Sequence, residues 1–242
     1  MSDVKNTVIQ GMWIGEGLTT MERLSIASFL SNGHSYKLYV YRELQHVPQG
    51  TTICDANEIL PESEIFQYGE TGTYAVFADL FRYKLLLERG GWWSDLDVIC
   101  IKPFDFPTSY VFATEPDFRS RAFVTNGIMK APAGSDVLGQ AVRFCESQDL
   151  KKLPWSATGP DLLHRLVSHS VLAEYCHDPA TFCPVSPMRW MSLLLPDATQ
   201  DIKPHTCAVH LWHELWRRYP LDTDAQYAPL SLYEQLKKRY LG

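Results

Sequence analysis

Two aspartates one residue apart, Asp95 and Asp97, are the residues in this chain whose type and spacing most directly suggest chemistry. In extended or turning backbone they can direct both carboxylates to one place, where they repel unless a cation lies between them. Oxygen ligands of this kind suit Mg²⁺ or Mn²⁺, and Mg²⁺ commonly takes one or two protein carboxylates and completes its shell with water and substrate phosphates. The implied ligand is a metal-bound diphosphate. Two aspartates in an exposed turn also occur for solvation or local backbone bonding alone. The context therefore matters.

The context is the stretch Tyr74 to Lys102. Phe77, Phe81 and Leu85, with Leu80, Leu86 and Leu87, give an amphipathic helix that can face a core, and Asp79 and Arg82, three apart, share one side of it. Gly90 and Gly91 end the helix, and Trp92 starts an extended run through Ile101. Asp79 and Arg82 read either as a surface ion pair, worth little to stability, or as polar groups looking into a cleft.

The order Ala78-Asp79-Leu80-Phe81-Arg82-Tyr83, then Gly90-Gly91-Trp92-Trp93-Ser94-Asp95-Leu96-Asp97, resembles the signature of glycosyltransferases with a DxD sugar-binding region, family 32. That family includes α-1,4-galactosyltransferases, initiating α-mannosyltransferases and many bacterial polysaccharide enzymes, and it shares the arrangement with glucosylating bacterial toxins. Members usually carry an aromatic residue, commonly Tyr, two positions before the first Asp; Trp93 takes that place here. The resemblance implies a GT-A-like (Rossmann-like) α/β domain with a mixed central sheet. It also implies a Mn²⁺ or Mg²⁺ cofactor, a nucleotide-sugar donor and a retaining transfer that gives an α-linkage.

The resemblance further implies roles for particular residues. Asp79 and Arg82 contact the donor's ribose or sugar hydroxyls and its phosphate or sugar, and Trp93 lies beside the nucleotide. Asp95 and Asp97 hold the metal and diphosphate. In the later segment His210-Leu211-Trp212, followed by Trp216, His210 supplies a third metal ligand, with neutral imidazole compatible with Mn²⁺ in a mixed O/N site. A lone His on an apolar strand also reads as a hydrogen-bonded core residue. Trp212 and Trp216 close over the donor or else only pack the C-terminal lobe.

The remaining chain supplies the frame. Val8 to Gly15 reads as a first strand ending in a glycine-bearing loop, and Thr19 with Glu22 forms a capping box for a helix to about Asn32. Tyr36 to Tyr41 and Thr51 to Cys54 follow as strands, giving an opening β-α-β unit of the kind that binds nucleotides beyond its strand ends. Trp13, in the loop that by resemblance cradles the base, is a stacking or wall residue or simply core. Residues Pro61 to Thr73 read as a loop into the central helix.

Tyr110 to Thr114 and Ala122 to Met129 read as further strands. Asn126-Gly127 is either a hairpin turn or, as the resemblance implies, places Asn126 near the transferred sugar. Ser135 caps a helix to about Ser147, and Thr158-Gly159-Pro160-Asp161 opens another. There Asp161 either complements the helix dipole or orients an acceptor hydroxyl. His164 and His169, five apart, do not share a face as a metal pair would. The segment Asp178 to Pro204 reads as irregular, packed around Phe182, Trp190 and Leu193 to Leu195. Ser231 with Glu234 starts a last helix with a basic end at Lys237, Lys238 and Arg239, either a solvated face or a contact for a lipid-linked acceptor.

Bulk properties set the outer bounds. The chain has 242 residues, 45% hydrophobic and 12% aromatic, enough to bury a sizeable core as one domain over residues 1–242, with no internal repeat or composition break. A net charge of −6 disfavours nucleic acid as a partner. No apolar run approaches a membrane span, and Met1 to Asn6 lacks a signal layout. Six scattered cysteines without a CxxC pair read as free thiols. The expected location is cytoplasmic, with peripheral membrane association through a glycan or lipid-linked saccharide acceptor.

Two other classes share some of these features. Asp95-Leu96-Asp97-Val98 resembles the nucleophile motif of haloacid dehalogenase-type phosphatases, although that motif normally sits near the chain start and no later paired aspartates follow here. A non-catalytic nucleotide-sugar or glycan-binding module would also carry the fold.

Overall fold

The computed structural model describes residues 8–69, 72–116, 121–196 and 198–242. The reading of Met1 to Asn6 lies outside them. Alternating and apolar runs become eight strands, β1 Val8–Trp13, β2 Ser35–Val40, β3 Thr51–Asp55, β4 Gly91–Ser94, β5 Val98–Cys100, β6 Val111–Pro116, β7 Ala122–Ala131 and β8 Ala208–His210. The helices are α1 Thr20–Ser31, α2 Ala75–Arg89, α3 Asp136–Glu146, α4 Pro160–Val167, α5 Pro179–Phe182, α6 His213–Arg218 and α7 Leu232–Tyr240. Between α5 and β8 the chain runs through 3-10 turns at Pro187–Leu194 and Ala198–Asp201, in keeping with the irregular segment expected there.

A six-stranded sheet in the order β3-β2-β1-β4-β7-β6 forms the centre. The first four strands are mutually parallel, and β7 runs antiparallel to both β4 and β6. This is the α/β architecture with a mixed central sheet that the sequence led us to expect. Successive side chains of a strand point to opposite faces, so adjacent tryptophans of β4 serve two layers. Trp92 packs with Ile9, Leu24, Phe29 and Phe104, and Trp93 with Phe81, Phe112 and Met129. The first layer is closed by α1 and α7, the second by α2, α3 and α4.

Local sequence explains the element ends nearest the sheet's functional edge. Thr19 and Glu22 form the capping box of α1, so that helix starts where its first orphan N–H groups find acceptors. At the end of α2, Gly90 has φ +63°, and a Cβ there would lie 2.5 Å from Ala133 N. Only glycine lets the chain turn there and pass under the β7–α3 connection.

The structure corrects one expectation and decides against one of two open readings. The run Trp92 to Ile101 is not one strand: β4 stops at Ser94, the chain turns through Asp95-Leu96-Asp97, and β5 pairs instead with β8 in a separate two-stranded sheet. The break follows from backbone bonding, because Asp95 N–H donates to the Gly127 carbonyl while Leu211 N–H donates to the Asp97 carbonyl. The turn is thereby tied to both sheets. Asn126-Gly127 is likewise no hairpin turn, since both residues lie inside β7.

Candidate functional site

The Asp95–Asp97 turn forms the floor of a cavity of about 360 Å³. Its walls come from the end of β1 and the following loop (Trp13, Ile14), the start of α2 (Tyr74, Ala75, Ala78, Arg82), Trp93, Trp155 and the first turns of α6 (His213, Glu214, Arg217). The site thus lies beyond the carboxyl ends of the parallel strands, where open α/β sheets bind ligands.

Asp95 is held by two cationic or polar donors. Arg82 NH1 lies 2.9 Å from its Oδ1 and 3.2 Å from its Oδ2, and Trp93 Nε1 donates to Oδ1 at 2.8 Å. The Arg82 guanidinium also stands 4.9 Å over the Trp93 ring and donates to the Asn126 carbonyl at 2.6 Å. Enclosure by protein raises the Asp95 carboxyl above its ordinary range, against the pull of Arg82. Arg82 itself is 4% exposed, so of its two readings the surface ion pair with Asp79 does not describe it.

Asp79 is equally buried. Its Oδ1 accepts from Asn126 Nδ2 at 2.7 Å, its Oδ2 accepts from Thr158 Oγ1 at 2.8 Å, and Arg82 NH2 lies 3.4 Å away. Burial pushes its carboxyl up to about 6 despite these partners, because the loss of water outweighs them. A Cβ on Gly159 would lie 2.9 Å from Asp79 Oδ2, so the Thr158-Gly159 backbone must approach closely. Asp79 and Asn126 stand behind the cavity wall and act on it through Arg82.

Asp97 has the opposite balance. Burial disfavours its charge, but His210 Nε2 at 3.1 Å and the His213 backbone N–H at 2.9 Å hold the carboxyl well below the ordinary range. His210 is correspondingly pushed up by Asp97. Both contacts fall on Oδ2; Oδ1 is buried with no partner. Across from it, a Cβ built on Gly127 would lie 3.2 Å from Asp95 Oδ2 and 3.7 Å from His210 Cε1. The absent side chain at Gly127 leaves room for Asp95 and the His210 ring, and His210 in turn contacts Asp97.

These residues fit a hard divalent cation. Among the described residues no three His, Cys, Asp or Glu side chains are already arranged around a metal position. A cation that draws most of its shell from water and phosphate needs only one or two carboxylates. The orphaned Asp97 Oδ1 and the cavity-facing Asp95 are the residues that would supply them, with His210 alongside.

The other expected site residues divide. Trp13 lines the cavity, with its Nε1 donating to the Gly17 carbonyl at 3.1 Å. Trp212 packs against His210 at a ring distance of 3.9 Å and donates to the Val185 carbonyl; its φ of +62° is strained for a bulky residue and turns the chain from β8 into α6. Trp216 is fully buried between Trp190, Tyr227 and Tyr233 and does not line the cavity. Of the two readings for it, packing is the one the structure places. Asp161 is exposed, accepts from Ser156 Oγ and stands outside the cavity lining. His164 accepts from Val124 N–H at 3.1 Å and stacks on Phe123.

Sequence reasoning missed Glu22, Thr158, Trp155, His213 and Arg217. In sequence, Glu22 reads as a cap residue and Thr158 as part of a helix start. His213 and Arg217 flank the tryptophans of the 210–216 segment, so proximity to that motif was the available signal.

Similarity to known proteins comes at two levels. Among solved structures, the PaToxG glycosyltransferase is 13% identical over 97% of this chain and 85% of its own, with a TM-score of 0.47. Mouse xyloside xylosyltransferase 1 is 11% identical over 84% of this chain and 96% of its own, with a TM-score of 0.44. A glycosyltransferase involved in glycosylation of the major capsid of PBCV-1 is 15% identical over 85% and 93%, also at 0.44. No curated protein sequence matches significantly. Residues 20–113, which hold Asp79, Arg82, Trp93, Asp95 and Asp97, match the family model described as the glycosyltransferase sugar-binding region containing DXD motif, and that match supports a glycosyltransferase.

Proposed function

We propose that the chain acts as a single catalytic domain over residues 1–242. In this reading it is a metal-dependent retaining glycosyltransferase that moves a hexose from a nucleotide diphosphate sugar, a UDP-sugar, to a hydroxyl of a glycan or lipid-linked saccharide. The observation that carries this reading is the acidic corner: Asp95 and the His210 ring meet over Gly127, and Asp97, in contact with His210 and lining the same cavity as Asp95, has its Oδ1 buried and unpaired.

In this reading Asp95 and Asp97 hold Mn²⁺ or Mg²⁺ with His210 beside them. A divalent cation there would offset the negative charge that grows on the departing diphosphate. The chain's own groups do the rest. Arg82 is anchored by the Asn126 carbonyl and keeps the Asp95 carboxylate aimed at the cavity. Trp13 and Trp93 offer aromatic walls to the nucleotide, with Trp212 supporting His210 from behind. Asn126 and Thr158 fix Asp79, which positions Arg82, and Asp161 at the start of α4 is assigned to the acceptor side. Retention of configuration is carried by the resemblance alone.

Among the described residues no helix is long and apolar enough to cross a membrane. The cysteines are free thiols, which suits a reducing compartment, and the cytoplasm is the proposed location, with peripheral membrane contact through a lipid-linked acceptor.

The test is turnover of UDP- and GDP-sugars with and without Mn²⁺, comparing wild type with Asp97→Asn. The expected result is nucleotide diphosphate release that depends on the metal and falls at least about a hundredfold in the variant, the scale of losing a group that stabilises transition-state charge. Metal-independent release unaffected by the substitution would remove the assignment.

A further inference from the structure

A capping box needs one carboxylate oxygen, yet Glu22 buries two. Its Oε2 accepts from Thr19 N–H at 2.7 Å and from Thr19 Oγ1 at 2.5 Å. Oε1 is buried with no hydrogen-bond partner, on a side chain only 1% exposed, and Glu22 is part of the cavity wall. Leaving a charged oxygen without a donor away from water is costly. The nearest basic group is His213 Nδ1, at 3.9 Å, on a side chain that is 29% exposed and lines the same cavity.

His213 is placed with care by the backbone. It follows Trp212 in its left-handed conformation, and its own N–H donates to Asp97 Oδ2 at 2.9 Å. Its Cα is therefore pinned to the acidic turn while its ring lies against α1. In neutral histidine one ring nitrogen carries the proton and the other accepts, and the partner of the first decides which is which. At 3.9 Å the carboxylate is beyond hydrogen-bond distance of Nδ1, but its charge favours a proton on that nitrogen, and the Nδ1–H form leaves Nε2, on the ring's other edge, as an acceptor.

We propose that Glu22 and His213 form a positioning pair. Glu22 holds His213 as the Nδ1–H tautomer, and His213 Nε2 accepts a hydrogen bond from a hydroxyl of the nucleotide sugar bound in the cavity. Glu22 is the positioning residue and His213 the contact residue. The inference rests on the glycosyltransferase reading for its ligand but not for the pair itself. Neither residue belongs to the DxD signature, and Glu22 has a sufficient structural explanation that conceals its second oxygen.

The experiment has two arms on the full chain. Ring-nitrogen NMR of ¹⁵N-histidine-labelled protein is recorded at about pH 8, above the ordinary histidine range, for wild type and Glu22→Gln. Gln preserves a capping box. Its oxygen must stay on the Thr19 N–H, so its NH₂ faces His213 and Nδ1 becomes an acceptor. The expected result is an Nδ1–H signature for His213 in wild type and an Nε2–H signature in the variant. The same tautomer in both proteins overturns the pair.

The second arm is titration with UDP-glucose and with GDP-mannose, each with Mn²⁺. His213→Asn keeps a donor for Glu22 and removes the Nε2 acceptor, so affinity for the nucleotide sugar that wild type binds is expected to weaken about five- to tenfold, the worth of one hydrogen bond. His213→Gln, with an amide oxygen able to reach the Nε2 position, recovers part of the loss. Unchanged affinity in His213→Asn overturns the ligand contact. If wild type binds neither nucleotide sugar, the glycosyltransferase reading and the ligand contact fall together, while the tautomer spectra still decide the pair.

Discussion

Asp79 shows how a single buried side chain ties the site to the fold's energetics. With three polar partners it is fully hydrogen-bonded, yet its carboxyl titrates near 6 because those partners do not replace the water it has lost. An unfolded aspartate titrates near about 3.9. Between these values the native state retains a proton that the unfolded chain has released, so stability falls as pH rises from about 4 through 6 and stays lower above. With nearly all of the group buried, the difference amounts to about 3 kcal/mol. Asp79→Asn keeps the shape and removes the titration. Urea melts of the two proteins across pH 4 to about 7 are therefore expected to diverge, the variant gaining on wild type as pH rises. Parallel curves would show that Asp79 is not the carboxyl responsible.

At the scale of elements, the helix-turn-strand from α2 into β4 sets where the carboxylates emerge. Its legibility was uneven. The 3.6-residue period, the Gly-Gly stop and the Thr19–Glu22 and Ser231–Glu234 caps are local signals, and the structure has all of them. The division of Trp92 to Ile101 into two strands was not local. Val98 to Cys100 are as apolar as a continuing strand, but they pair with residues 208–210, more than a hundred positions away. Gly127 was open for a related reason: the Asn-Gly dipeptide suits a hairpin as one of its two readings, and here the missing side chain makes room for Asp95 and His210.

The Gly90 turn gives this scale its test. Alanine there would combine a left-handed backbone with a Cβ 2.5 Å from the Ala133 nitrogen, a backbone atom that cannot swing aside. Gly90→Ala is expected to lower unfolding free energy by about 2–4 kcal/mol in a urea titration, the combined cost of strain and displacement. A loss under about 0.5 kcal/mol, the usual surface value, would mean that the turn tolerates a side chain and that the register of β4 is set elsewhere.

Over the whole molecule, the Asp95–Asp97 turn is the joint between the six-stranded sheet and the β5–β8 pair. Asp97 joins them through backbone and side chain: its backbone carbonyl accepts from Leu211 N–H at 2.8 Å, while its carboxylate accepts from His213 N–H at 2.9 Å and lies 3.1 Å from His210 Nε2. The first bond depends on the backbone alone and the second on the carboxylate. Native-state hydrogen exchange of Asp97→Ala separates them. A hydrogen bond to a charged acceptor is worth about 1.5–3 kcal/mol, so the His213 amide is expected to exchange about ten- to a hundredfold faster while Leu211 keeps its protection. If both amides accelerate equally, the joint opens as one unit, and the carboxylate holds the two sheets together instead of merely decorating the turn. If neither changes, α6 is held at the cavity by its packing through Trp216, and the acidic corner carries no part of that attachment.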